Sequence, residues 1–123
     1  MFSFNSQINI NHLYNTCGDD VSFIKIMFET FLEDSLKYWD EIQEKLKAQK
    51  YGEILKPIHS IKPSFDMIGF PEITVKVREY EAFVKGGPSV SELLKRTSEL
   101  EIDVNRVKNI LIEELKKMEA EGI

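Results

Sequence analysis

The sequence predicts an all-α protein: an up-down antiparallel four-helix bundle with a short N-terminal leader helix. Three observations carry this reading. Apolar residues recur at steps of three, four and seven along most of the chain, as on a helix with one buried face. The alternating patterns of strands are scarce. Glycines and prolines divide the chain into long helical stretches joined by short loops, and short loops make neighbouring helices antiparallel.

The leader helix is read in "INHLYNTCG", Ile10 to Gly18, with the glycine as its stop. Asp19 or Asp20 then caps the next helix. That helix runs to about Gln49, with Ile24, Phe28, Phe31, Leu32, Trp39, Ile42 and Leu46 on one face. The pattern weakens at Glu33 to Ser35, where a bend is expected. Tyr51 and Gly52 interrupt the run. A helix over about Glu53 to Ile68 follows, striped by Ile54, Ile58, Ile61, Phe65 and Ile68 and ended by Gly69. Pro71 suits the first turn of the next helix, which carries Ile73, Val77, Tyr80 and Val84 and stops at "GGP". Ser89 or Ser91 caps the last helix, striped from Leu93 through Thr97, Leu100, Val104, Val107, Leu111 and Leu115 to Met118. About thirty residues at about 1.5 Å each make it a rod of about 45 Å.

A chain of 123 residues is expected to form one domain over its whole length, residues 1–123, with enough apolar content, 42%, for a core without staples. The net charge of −5 argues against a nucleic-acid binder, although Lys45, Lys47, Lys50, Lys56 and Lys62 fall close together. Cys17 is the single cysteine, so no intramolecular disulfide and no Cys/His metal spacing exists, which suits a reducing compartment. The start, "MFSFNSQINI", lacks the pattern of a signal peptide. No apolar run approaches the roughly 18 residues of a membrane span. The expectation is a cytoplasmic monomer, without metal or cofactor and not bound to membrane. Met1 and the lack of a linker suggest a stand-alone chain.

The chemistry concentrates in "KPIHSIKPSFDMIGFPEI", Lys56 to Ile73. With the Ile54–Ile68 stripe set at zero and about 100° per residue, His59 lies about 140° outward, Lys62 about 80°, Asp66 about 120° and Pro63 near 180°. His59 is therefore expected on the surface with Lys62 one turn on. An ordinary surface histidine satisfies that placement. The sharper reading is chemical. A solvated imidazole is largely neutral at pH 7, given a reference pKa of about 6.5. Its unprotonated nitrogen is a nucleophile toward phosphorus, and an adjacent ammonium pairs with phosphoryl oxygens. No pocket is needed if another protein carries in the phosphoryl donor.

The segment "HSIKPSFDMIG", His59 to Gly69, resembles the signature H-x-[LI]-K-G-[SA]-[SA]-x-x-x-G of histidine-containing phosphotransfer (HPt) domains. His59, Ile61, Lys62, Ser64 and Gly69 match in position. The similarity extends over about Ile10 to Met118, including the acidic start at Asp19, the F-L-x-D step at Phe31 to Asp34 and the spacing to the histidine. It implies a carrier with no kinase activity or nucleotide site of its own. Such a carrier accepts a phosphoryl group on His59 Nε2 from a receiver-domain aspartyl phosphate and passes it to another receiver aspartate. The implied partners are response-regulator receiver domains, alone or within a hybrid histidine kinase, and the Mg²⁺ of such transfers belongs to the receiver. In the family, a Glu or Gln at the offset of Glu81 bonds the histidine Nδ1; a solvated carboxylate is the other reading of Glu81.

Pro63 and Phe65 depart from the signature, in a K-P-S-F variant. Pro63 removes the helical donor of His59's own carbonyl. The expected result is a bend, convex outward, that helps present His59. Pro63, Leu55 and Asp66 are the candidate partner-facing residues; partial core burial is the other reading of Leu55, and simple solvation of Asp66. Ser64 is expected to pack against a neighbouring helix, and His12 to serve at the surface or in a cap. The alternative function is a helical adaptor that docks a signalling partner and is never phosphorylated.

Overall fold

The computed structural model describes residues 2–123, and among them only helices, turns and connecting segments occur. Helix α1 spans Ile10–Cys17, capped by the Asn9 side chain, which accepts the His12 N–H at 3.0 Å. Gly18 ends it at φ 76. Asp20 accepts from the Ser22 and Phe23 amides and starts α2, Val21–Thr30. The chain continues through a π-helical turn, Phe31–Ser35, into α3, Leu36–Lys47. The bend expected at Glu33 to Ser35 is this wide turn, a common way to shift the facing of a long helix. Phe31, within it, meets Phe65 edge-on with ring centroids 5.2 Å apart. That contact explains an aromatic where the HPt signature has a small residue: position 65 points into the core and is fully buried.

A short 3₁₀ turn, Tyr51–Glu53, leads to α4, Leu55–Ile61. The single helix expected from Glu53 to Ile68 is instead two, α4 and α5, Ser64–Met67, separated at Lys62 and Pro63. The cause is local. Pro63 has no N–H to give, so the hydrogen-bond ladder breaks. Lys62 (φ −50, ψ −49) and Pro63 (φ −72, ψ −15) both keep helical angles, so the chain carries on in helical register. Helix α6, Pro71–Lys85, opens with its proline in the first turn. Helix α7, Val90–Ala120, opens with a full capping box between Ser89 and Glu92.

The four rods close a ring. Helix α3 packs on α4, α4 and α5 on α6, α6 on α7, and α7 back on α2. The predicted stripes supply the core: Ile24, Phe28, Ile42, Ile58, Phe65, Ile73, Val107 and Leu111 are all fully buried. Full burial of such a side chain stabilises by about 1.5–3 kcal/mol. One polar pair is sealed among them. The Thr97 hydroxyl donates to the Leu93 carbonyl at 2.7 Å and therefore accepts from Tyr80 Oη at 2.6 Å. Burial raises the Tyr80 phenol pKa, against the lowering effect of that bond.

Helix α1 packs on α5, and the Asn9 amide donates to the Gly69 carbonyl at 2.8 Å. The segment before α1 is held against α7. Glu114, only 1% exposed, accepts the Asn5 N–H at 2.9 Å and meets Lys117 Nζ at 3.0 Å. Lys117 also donates to the Ser3 carbonyl at 3.0 Å.

Candidate functional site

The site lies where α4 faces α6. On α4, the buried positions Ile58 and Ile61 fix which way the helix turns, and this sets the directions of His59 and Lys62. The His59 side chain is 72% exposed and that of Lys62 24%. The order follows the angular one: the residue further from the stripe is the more open. On α6, Val77 and Tyr80 are buried, and Glu81, next in sequence, is carried toward α4. Its side chain is 8% exposed.

Both Glu81 oxygens are engaged. His59 Nδ1 lies 3.2 Å from Oε2, and Lys62 Nζ donates to Oε1 at 2.9 Å. The Lys62 hydrogen bond holds the Glu81 carboxyl below its ordinary pKa of 4.5, outweighing burial, with His59 and the charges of Lys62 and Lys85 helping. At neutral pH Glu81 is thus a carboxylate, which only accepts hydrogen bonds. The His59 contact must then be an Nδ1–H donor, so the lone pair of a neutral ring sits on Nε2. A fixed tautomer on an exposed ring is what a nucleophilic histidine requires, and no closed pocket surrounds it.

The other expected site residues divide. Pro63 is exposed, between α4 and α5. Leu55 is half-buried, one turn before His59. Asp66 is drawn elsewhere: it accepts from Thr74 Oγ1 at 2.7 Å, and His12 Nε2 lies 3.6 Å away. No hydrogen bond links it to His59, Lys62 or Glu81 among the described residues. The angular placement beside His59 assumed one unbroken helix, and Asp66 belongs to α5 beyond the break. Ser64 is half-buried, and Ser60 donates back to the Lys56 carbonyl. Sequence reasoning missed the Lys62–Glu81 bond, because it depends on how α6 seats against α4. It also missed the Thr74–Asp66 bond. The spacing of eight residues across the turn at Gly69 gave no signal of it.

Comparison with protein-family models matches residues 26–119 to the Hpt domain. The chain belongs to the Hpt domain family. Comparisons with curated proteins and with solved structures return no match. The matched span includes His59, Lys62 and Glu81 and the helices that bring them together. Hpt domains serve phosphotransfer in two-component systems, as carriers and not kinases, and they interact with response-regulator receiver domains. No group of three or more His, Cys, Asp or Glu side chains is placed to hold a metal ion among the described residues, and no described helix is long and apolar enough to cross a membrane.

Proposed function

We propose that His59 Nε2 is the phosphoryl acceptor of a phosphorelay carrier. A receiver domain bearing an aspartyl phosphate docks over α4. The Nε2 lone pair attacks phosphorus, and the bond from phosphorus to the aspartyl oxygen breaks, its electrons leaving with the carboxylate. The ring becomes cationic while Nδ1 keeps its proton. Glu81 stabilises that charge through the same hydrogen bond that set the tautomer. Transfer to a second receiver aspartate reverses these steps. Leu55 and Pro63 flank the ring and form part of the docking face; Asp66 sits at its edge. The protein acts as a monomer, and the receivers it meets include those within hybrid histidine kinases.

The observation that carries this reading is the pairing of an open ring with a buried carboxylate at its Nδ1. Incubation with an aspartyl-phosphorylated receiver should leave phosphate on the chain that is acid-labile and alkali-stable. His59→Gln should remove all of it, with helical content unchanged because position 59 is exposed. Label persisting on the variant, or a wild-type chain that takes none from a panel of receivers, contradicts the assignment.

A further inference from the structure

Lys62 sits where an ammonium would be expected to grip the incoming phosphoryl group, yet its hydrogen bond goes to Glu81, at 2.9 Å. Its side chain is mostly covered, whereas His59 stands open. To reach a phosphoryl oxygen it would have to abandon a carboxylate that is itself more than nine-tenths buried. Leaving a buried charge without its partner is strongly unfavourable. The two Glu81 oxygens divide the work, one for each residue of the His59–Lys62 pair.

We propose that Lys62 is a positioning residue: it acts on phosphoryl transfer through Glu81, holding that carboxylate ionised and aimed at His59 Nδ1, and does not act by direct contact with the phosphoryl group. This deepens the reading of His59 as acceptor and rests on it for the transfer rate alone. The chain of cause is short. Lys62 opposes the effect of burial on Glu81. An ionised Glu81 can only accept, so Nδ1 donates and Nε2 keeps its lone pair. Without Lys62, a carboxyl in this covered position is free to take up a proton or rotate. A protonated carboxyl can donate to Nδ1, which favours the tautomer with the proton on Nε2, the form that cannot attack phosphorus. His59, Lys62 and Lys85 are the charged or titratable groups that act on Glu81 from α4 and from α6 itself.

A double-mutant cycle with Lys62→Met and Glu81→Gln tests this, read by the rate of phosphoryl uptake from a phosphorylated receiver. Partners that orient a functional histidine from outside, as at metal sites, are worth about 10- to 100-fold. Lys62→Met should therefore slow uptake by about tenfold in the wild-type background and cause no further slowing in the Glu81→Gln background. Equal slowing in both backgrounds would overturn the proposal and place the ammonium on the phosphoryl group. A second arm needs no transfer at all. In the unphosphorylated protein, ¹⁵N NMR of the His59 ring should report the Nδ1–H tautomer in the wild type and a larger share of Nε2–H in Lys62→Met. An unchanged tautomer ratio overturns the proposal. If the wild type takes up no phosphate while the tautomer ratio still shifts, the acceptor assignment fails and the Lys62–Glu81–His59 coupling stands.

Discussion

Replacing Glu81 with alanine is expected to slow phosphoryl acceptance at His59 by about 100-fold, the order of effect that follows from misplacing a reacting group. The variant removes the only hydrogen-bond partner of His59 Nδ1. The ring then samples both tautomers and several rotamers, and the charge that develops on it meets no counter-charge. Lys62 loses its partner as well, but at 24% exposure its ammonium can reach water, so the fold should survive. A companion change is expected in acid. The Glu81 pKa is lower in the folded protein than its ordinary value of 4.5. The stability that this carboxylate contributes is therefore fully present above the unfolded-state value and is lost as pH falls through the lowered folded one. In Glu81→Ala that part of the acid-side decline should be absent. Uptake kinetics at neutral pH, with denaturant unfolding of both proteins at neutral and acid pH, check the two statements. A variant that transfers at the wild-type rate would mean the contact is idle.

Gly69→Ala is expected to destabilise the protein by about 2–4 kcal/mol, through left-handed strain and overpacking together. Gly69 has φ +88, which a side chain rarely adopts. An added Cβ would stand 2.7 Å from Ile8 Cγ2 and 3.4 Å from the Asn9 carbonyl oxygen. Ile8 is itself only 4% exposed, so it has little room to retreat. The Gly69 carbonyl also receives the Asn9 amide, so the strain falls on the seat of α1. The last glycine of the HPt signature is thus a packing and backbone requirement, ten residues from the reacting atom. Urea unfolding should show the loss, and amide exchange should localise it to α1 and the 64–70 segment. A change below about 0.5 kcal/mol, the range of ordinary surface substitutions, would show that the turn relaxes without penalty.

Helix geometry made the direction of His59 legible in advance. Once the Ile54–Ile68 stripe is recognised, position 59 has to face outward and position 62 to lie on the flank, and their exposures of 72% and 24% follow that order. The start signals at Asp20 and Ser89 were legible for the same reason, since a cap needs only a few neighbouring residues. Contacts between helices were not. Glu81 came forward only through resemblance to HPt domains, because twenty-two residues of separation carry no geometric message until α6 is seated on α4. Asp66 was misjudged as a neighbour of His59 because the angular count ran through Pro63, where the ladder breaks. Glu114 lies between Leu111 and Met118 on the buried face of α7, so its position was visible. Its partner, the Asn5 amide 109 residues away, was not.

The most direct measurement is NMR of the ¹⁵N-histidine-labelled protein after phosphorylation by a receiver, which locates the phosphorus–nitrogen bond. The expected spectrum places the phosphoryl group on Nε2 of His59, with Nδ1 still protonated against Glu81 and His12 unmodified. Phosphate on Nδ1, on His12, or on any side chain other than His59 would contradict the central claim.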